Sequence, residues 1–267
     1  IALTFMKNNV VFWTGIKNEN LSTKYGGFNW MDYSKKSWQY WCDRNDVKLV
    51  TFEKPHSDIT LHRANWQKAI HCWDVLDEFN VDADNVFLVD ASSIVKWDAP
   101  NIFNQIDERF VAWPDLDNLK WGYESIEGYK SFFNFNLDNS KYVNSGVIIF
   151  NKSHRPFFES FKKLYFDNSE KFIILQDKEV RKGTEQTPFN YWLQKNNVEL
   201  NLEMPVTWKL THLHRKEMLG HNWQLNEDKT PFFIKHGYLW FFTGFDKMQR
   251  ANLMTQVWDI VRSNYES

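Results

Sequence analysis

An acid and a hydroxyl stand two residues apart after an apolar run, in the sequence FLVDAS at residues 87–92. The Asp90 carboxylate could hold a divalent cation such as Mg²⁺ or Mn²⁺, because these ions prefer oxygen ligands. Two acids at this spacing would bind such an ion better, but Ser92 stands where the second acid would be. On these residues alone Asp90 is better interpreted as an ordinary strand-end residue, since short motifs often match by chance.

The residues before Asp90 alternate between strand and helix patterns. The alternating segments are residues 10–14, about 34–44, 48–53, 60–79 and 86–90. Ser34 is placed to cap the first helix, and an apolar stripe at steps of three and four residues marks the core face of the second. Alternation of this kind predicts an α/β fold, with helices packed on a parallel sheet.

The ends of these strands are where a ligand is expected, because ligands of such sheets bind outside the carboxyl ends of the strands. Thr14 and Gly15 end the first strand, and Asp90 ends the third. Arg63 and Lys68 lie on the helix that leads into the Asp90 strand. A solvated helix face is the default interpretation for these two charges.

The second half of the chain is less regular. It has strand patterns at residues 109–113, 146–150 and 232–235, and helix patterns at 155–167, 186–195 and 246–262. Residues 114–141 form a long aromatic and polar stretch between them. No linker, repeat or low-complexity tract interrupts the chain, so we expect one domain over residues 1–267.

Composition argues against several classes of protein. Lys and Arg number 32 against 34 Asp and Glu, a net charge of −2, whereas binding to nucleic-acid backbones needs a basic face. No run approaches the roughly 18 apolar residues of a membrane span, and no signal peptide is visible. These features give the expectation of a cytoplasmic protein. Cys42 and Cys72 lie in helix patterns, and we expect buried free thiols there.

Two polar motifs flank the strand and helix patterns of the second half. Asn144-Ser145-Gly146 stands at the start of the strand at 146–150, where a turn would explain the glycine but not the asparagine. Glu185 and Gln186 open the helix at 186–195. An acid in the first turn of a helix that Thr184 caps is an equally good explanation of Glu185, but such a cap has less need of Gln186.

A late segment, Lys235-His236-Gly237, follows the strand pattern at 232–235, and Lys247 lies eleven residues after His236. A strand-end histidine and a surface lysine would be the ordinary interpretation.

Four segments in order make the chain resemble the GT-A glycosyltransferases, in particular the retaining glycogenin-like and bacterial galactosyltransferase-like enzymes. They are FLVDAS with the WDAPNIF that follows at 97–103, YVNSGVIIFN at 142–151, GTEQTPFN at 183–190, and KHG at 235–237. The resemblance implies a GT-A, Rossmann-like fold with a nucleotide-binding half at about 1–105 and an acceptor and catalytic half at about 106–267. It also implies transfer of a sugar from a nucleotide-diphosphate donor to a hydroxyl acceptor, with retention at the anomeric carbon.

The resemblance implies a metal site as well. Asp90 and His236 would hold Mn²⁺ or Mg²⁺, and Ser92 would contribute a hydroxyl or a water-mediated contact. Asp115 and Asp117 spell a second pair of acids after a strand pattern and form a rival site, or would contact sugar hydroxyls. His212 and His214 alternate along the chain, but two histidines without a third ligand are a weak zinc motif.

The remaining expected roles concern the donor and the acceptor. Asn144 would hold the donor sugar, with Glu185 and Gln186 at the reaction centre. Basic residues are expected near the nucleotide at Arg63, in preference to Lys68, and near the diphosphate at Lys247. The other residues expected to contact the donor are Thr14, Gly15 and Ser145. Most tryptophans fit the core, whereas those in irregular segments are candidates to stack on an acceptor: Trp121, Trp208 and Trp240.

Two alternative functions stay open. The missing second acid is compatible with a nucleotide-sugar-binding relative that has lost catalysis. A sugar-phosphate nucleotidyltransferase would share the sheet architecture, but that class begins with a glycine-rich phosphate loop, and Gly15 alone follows the first strand here.

Overall fold

A six-stranded mixed sheet forms the centre of the protein in the computed structural model, which describes residues 7–18, 22, 26–116, 118–210, 217–218 and 223–266. The strands are β1 (Asn9–Thr14), β2 (Lys48–Phe52), β3 (Asn85–Asp90), β4 (Ser93–Val95), β5 (Phe110–Pro114), β6 (Val143–Asn151), β7 (Leu200–Asn201) and β8 (Leu239–Phe241). The large sheet has the order β2-β1-β3-β6-β5-β7, and β4 and β8 form a separate antiparallel pair.

Helices cover both faces of this sheet. They are α1 (Asn29–Asn45), α2 (Ala64–Glu78), α3 (Leu119–Phe133), α4 (Arg155–Asp167), α5 (Ser169–Ile174), α6 (Gln186–Lys195), α7 (Phe232–His236) and α8 (Lys247–Val261). Short 3₁₀ turns stand at 102–104, 139–141, 152–154, 206–208 and 262–265, and a π turn at 175–179 follows α5.

The direction of the strands brings several chain segments to one edge of the sheet. β1 is parallel to β2 and β3, while β6 runs antiparallel to both β3 and β5. Strands β1, β3 and β5 therefore end where β6 begins. We call this side of the sheet the carboxyl edge, and it is where ligands of α/β sheets bind.

Two apolar clusters fill the space between the sheet and its helices. One joins α1, α8 and the β4–β8 pair to one face, and includes the buried Trp38 and Trp41. The other joins α2, α4 and α6 to the opposite face, where the Trp66 ring stacks on Tyr165 with centroids 4.3 Å apart. Helices α2 and α4 pack against each other on this face, and ten of the fifteen residues of α2 are buried.

The predicted strands and helices of the first ninety residues are confirmed, except for one helix start. The three strands and the second helix agree with the prediction to within a few residues, and the sheet is parallel there. Ser34 does not cap α1, which begins five residues earlier. It lies buried inside that helix and its hydroxyl accepts a hydrogen bond from Trp13 Nε1 at 2.9 Å. The buried Trp30 and Met31 extend the apolar face of α1 to the new start.

In the second half, three predicted segments differ from the structure. Residues 232–235 form part of helix α7 rather than a strand, because Phe233 and Ile234 are buried on one side of a single turn. The irregular stretch at 114–141 contains α3, whose first turn is capped by Asn118. Strand β6 begins at Val143, so the Asn-Ser-Gly motif lies inside a buried strand and not ahead of it.

Both cysteines are buried free thiols, as expected, and burial raises the pKa of each thiol far above its ordinary value. Such thiols stay protonated and are poor nucleophiles. None of the helices that the structure describes combines the length and the apolar composition needed to cross a bilayer.

Candidate functional site

Asp90 lies at the carboxyl edge beside the end of β1. In the parallel pairing of β1 and β3 it stands opposite Thr14, whose hydroxyl donates to Asp90 Oδ1 at 3.0 Å. The Nζ of Lys68 donates to both oxygens of the same carboxylate, at 2.9 and 2.8 Å. Lys68 belongs to the second turn of α2, which lies at the carboxyl edge because this helix runs back against the direction of β3. Asp90 is therefore part of an ion pair and not merely a strand end.

Glu185 shares the same lysine. Its Oε1 lies 3.3 Å from Lys68 Nζ and accepts a hydrogen bond from Ser145 Oγ at 2.7 Å. Its Oε2 accepts from Asn65 Nδ2 at 2.6 Å. Glu185 occupies the N-cap position of α6, but its side chain makes no capping hydrogen bond. The carboxylate faces the site, so the cap interpretation does not account for it.

Gly146 allows the Asp90 carboxylate to lie against strand β6. Val89 pairs with Val147 in the antiparallel ladder, and one step further Gly146 faces Asp90. A Cβ atom at position 146 would stand 2.3 Å from Asp90 Oδ2 and 2.8 Å from Phe241 Cζ. These distances are far below van der Waals contact, so the glycine of the motif is required by a close approach at the site itself.

A second polar group surrounds Asp115, which follows the end of β5. Its Oδ2 accepts from Asn144 Nδ2 at 2.6 Å and from Gln186 Nε2 at 2.9 Å. Asn144 Oδ1 in turn accepts from the backbone N–H of Gly146 at 2.8 Å. The structure thus brings Asn144, Glu185 and Gln186 together, and it adds Asp115 as the acid that orients two of them.

Two cavities open at the carboxyl edge. The smaller, of about 310 Å³, is lined by the Asp90, Asp115 and Glu185 carboxylates together with Asn144, Ser145, Gln186 and Trp121. The larger, of about 740 Å³, is lined by Thr14, Gly15, Ser92, Arg63, Lys247, Arg250, Phe28 and Trp30 among others. Asn65, Lys68, Asp90 and Thr243 line both. The two spaces therefore meet at the Lys68–Asp90 ion pair.

Several solved structures have a fold similar to that of the present chain. A glycosyltransferase involved in the glycosylation of the major capsid of PBCV-1 is 9% identical, with a TM-score of 0.55 over 93% of the present chain and 98% of its own. The bifunctional glycosyltransferase WbbM, in its apo structure, is 11% identical, with a TM-score of 0.50 over 100% of the present chain and 53% of its own, so the present chain spans about half of it.

The chain has a GT-A-like glycosyltransferase fold. At such low identities the likeness shows the fold alone. No protein-family model and no curated protein sequence matches the chain.

The metal expected in a GT-A site does not fit the side chains that surround Asp90. Both oxygens of this carboxylate already accept from Lys68, and Oδ1 also accepts from Thr14. Ser92 lines the larger cavity and offers only a hydroxyl. Among the described residues, Asp90 belongs to no group of three His, Cys, Asp or Glu side chains with ligand atoms within 4.8 Å of one another. The expectation of Mn²⁺ or Mg²⁺ stays a prediction.

His236 does not line either of the cavities that contain Asp90 and Ser92, the other two expected metal ligands. It ends α7, is exposed, and its ring packs on Phe232 with centroids 4.3 Å apart. In the β4–β8 pair, Leu239 stands opposite Val95 and Phe241 opposite Ser93. His236 therefore precedes the end of the ladder that is distant from Asp90, and it lines neither cavity. Residues that follow this segment line the smaller cavity instead: Phe241, Thr243 and Gly244.

The other expected residues divide between the cavities and the core. Thr14, Gly15, Ser92, Arg63 and Lys247 line the larger cavity, where the half-exposed Arg63 also pairs with Asp177. Of the three tryptophans expected to stack on an acceptor, Trp121 alone lines a cavity. Trp208 and Trp240 are buried, and their indole N–H groups donate to Gln105 Oε1 and to Phe233 O. Asp117, His212 and His214 lie outside the described residues.

Lys68 lies where the two cavities meet, although the sequence favoured Arg63 over it as the basic residue near the nucleotide. Its side chain is 4% exposed, in contrast to the half-exposed Arg63 that was preferred. One signal could have identified it. The first turns of a crossover helix lie at the carboxyl edge of the sheet, and Lys68 stands between Trp66 and Ile70 and one helical turn before the buried Cys72. A lysine there needs a buried partner.

Proposed function

We propose that the protein transfers a sugar from a nucleotide-diphosphate donor to a hydroxyl group of a carbohydrate acceptor, with retention at the anomeric carbon. The observation that carries this proposal is the meeting of two unlike cavities at Lys68 and Asp90, on the carboxyl edge of a GT-A-like fold. A donor that spanned both cavities would have its reacting bond at this meeting point. Retention is supported only by the resemblance of the four sequence segments to retaining enzymes.

The larger cavity suits a nucleoside diphosphate. Four cationic side chains and one carboxylate are among the described residues that line it: Arg63, Lys68, Lys247, Arg250 and Asp90. Phe28 and Trp30 supply aromatic surface, and the Arg250 guanidinium lies 5.7 Å from the Trp30 ring centroid. Its volume falls within the usual range of small-molecule sites, about 300–1,000 Å³. Charge and shape both favour an anionic ligand with a planar ring.

The smaller cavity suits a sugar. Its lining combines carboxylates and amides that can accept and donate hydrogen bonds to hydroxyl groups, and these side chains are held by one another. Side chains that are fixed before the ligand binds lose little entropy when they orient it. We assign Asn144 and Asp115 to the donor sugar, and Glu185 with Gln186 to the reaction centre.

The reaction would proceed with the following changes in bonding. The bond between the anomeric carbon and the diphosphate oxygen breaks, and its electron pair stays on the diphosphate. The acceptor oxygen forms the new bond to the anomeric carbon, and its proton passes to the diphosphate oxygen. Positive charge develops on the sugar ring in between, and the Glu185 carboxylate stabilises it electrostatically.

A screen of donors tests this proposal. UDP-, GDP-, ADP-, CDP- and dTDP-sugars are compared with the matching nucleoside monophosphates and sugar 1-phosphates by thermal shift, and sugar release is followed by NMR. At about 100 times its dissociation constant, a true donor should raise Tm by about 5 °C or more, and the fragments should raise it less. Binding without hydrolysis or transfer to any carbohydrate acceptor would instead favour the relative that has lost catalysis. The proposal is abandoned if no nucleotide sugar stabilises the protein.

Trp121 is the residue that we assign to the acceptor. It lies at the start of α3, is half-buried, and borders the smaller cavity together with Asn118, Thr243 and Gly244. The flat face of a sugar can pack on an aromatic ring, and an aromatic side chain offers about 150–250 Å² of surface to bury.

Trp121→Ala should therefore raise the KM for the acceptor by about tenfold, while the rate of donor hydrolysis without acceptor stays unchanged. Initial rates over a range of acceptor concentrations measure both quantities. Trp192→Ala is the matched control, because Trp192 is also half-buried but binds Ser160 away from both cavities. An acceptor KM that does not change in Trp121→Ala would remove Trp121 from the acceptor site.

A further inference from the structure

Lys68 is a buried cation at the centre of the candidate site. Its Nζ lies 2.8 and 2.9 Å from the two oxygens of Asp90 and 3.3 Å from Glu185 Oε1. The side chain is 4% exposed, yet it borders both cavities. It therefore stands where a donor that spans the two cavities would have its diphosphate and its anomeric carbon.

This amine carries its proton at neutral pH. Burial by itself would lower the pKa of Lys68, but the nearby carboxylates of Asp90 and Glu185 outweigh burial and hold the pKa above its ordinary value. A lysine ammonium is a compact point charge with three N–H donors. Its hydrogen bonds to Asp90 and its ion pair with Glu185 hold it in one place.

The same contacts leave little opportunity for a divalent cation at Asp90. Such a cation needs several oxygen ligands at about 2.0–2.6 Å, and the oxygens of Asp90 already accept from Lys68 and Thr14. Gly146 lies against Oδ2 from the side of β6. Ser92 offers a neutral oxygen, and the exposed His236 lines neither cavity.

The larger cavity supplies further positive charge. Arg63, Lys247 and Arg250 line it together with Lys68, and Asp90 is the one carboxylate among its described lining residues. When the bond to the sugar breaks, the nucleoside diphosphate gains negative charge, and fixed cations stabilise such charge as a metal ion would.

We infer that Lys68, supported by Lys247 and Arg250, takes the part of the divalent cation, so that the protein binds the diphosphate of its donor without a metal ion. This inference rests on the proposed function, because it concerns the same donor. Lys68 would donate a hydrogen bond to the diphosphate oxygen that keeps the electron pair of the broken bond. Asp90 acts as a positioning residue that holds the ammonium, and Glu185 contributes to this in addition to its place at the reaction centre.

The test is a calorimetric titration of wild-type protein with UDP, GDP, ADP, CDP and dTDP, each in excess EDTA and then in Mn²⁺ or Mg²⁺. We expect the nucleotide that binds to have a Kd within about threefold in the two conditions. A gain in affinity of about tenfold or more on adding Mn²⁺ or Mg²⁺ would overturn the inference and leave the proposed function standing. Failure of all five nucleotides to bind in either condition would overturn the proposed function and the inference together.

A variant gives a second, independent readout. Lys68→Met should raise the Kd for the same nucleotide in EDTA by about 10- to 100-fold, the usual effect of losing a hydrogen bond to a charged group. Lys96→Met is the matched control and should leave the Kd unchanged, because the buried Lys96 pairs with Asp98 and lines neither cavity. Equal Kd values in EDTA for Lys68→Met and wild type would contradict the role of Lys68. If Lys68→Met does not fold, the wild-type comparison above still decides.

Discussion

Replacing Glu185 by glutamine should lower the rate of sugar transfer by a factor of about 10²–10³, the usual effect of removing one fixed charge or donor aimed at a transition state. The side chain keeps its size, but the negative charge beside the developing positive charge on the sugar ring is lost. Donor affinity should change much less, because that positive charge does not exist in the bound donor. The measurement compares kcat at saturating donor and acceptor with the Kd of the donor.

Glu53→Gln is the matched control for this change. Glu53 follows strand β2 and pairs with Lys35 at 2.6 Å, but it lines neither cavity. Its neutralisation should leave kcat within about twofold of the wild-type value, since losing an exposed ion pair has little effect. A Glu185→Gln protein that binds donor and keeps the full kcat would show that Glu185 only helps to assemble the site.

The fold was predictable to the extent that local patterns determine it. Parallel strands with continuous apolar sequence, such as residues 86–90, leave a clear signal, and so does the amphipathic helix at 155–167. The misassigned segment at 232–235 is too short to show a period, and three apolar or aromatic residues in a row fit one helical turn as well as a strand. Its packing against the rest of the protein decided between them.

The site was predictable where a side chain and its chain position both carried information. Asn144, Glu185 and Gln186 meet around the smaller cavity, and the sequence motifs that contain them, at the start of a strand and of a helix, were recognisable. His236 was expected from its type and its order in the chain. Its position depends on the direction in which β8 pairs with β4, and no local pattern in the sequence specifies that direction.

Lys68 shows a different limit of the sequence. Charges on helices are exposed by default, and that rule gave no reason to expect that Lys68 is buried while Arg63 is half-exposed. Helix α2 packs against strand β2 and against helix α4. A lysine in its second turn is buried only because Asp90 and Glu185 arrive from two other parts of the chain. Such a meeting of three distant residues is a property of the folded protein alone.

Asp90→Ala should abolish transfer and also lower the free energy of unfolding by about 3 kcal/mol, the lower end of the range for breaking a buried ion pair. The stability effect arises because Lys68 is 4% exposed and would keep its charge with Glu185 as its remaining carboxylate partner at 3.3 Å. Urea denaturation measures the free energy of unfolding, and the transfer assay is run on protein that circular dichroism shows to be folded.

The double variant Asp90→Ala/Lys68→Met separates the two effects. A methionine can occupy the space of the lysine stem without a charge, and well-packed apolar replacements of buried ion pairs are often nearly neutral. The double variant should therefore be more stable than the sum of the two single losses predicts, with a coupling of about 1–3 kcal/mol. It should remain inactive, because it lacks both charged groups that transfer requires, even though part of the stability is restored. If the losses in free energy of unfolding of the two single variants add up in the double variant, or if Asp90→Ala keeps full activity, the ion pair does not organise this site.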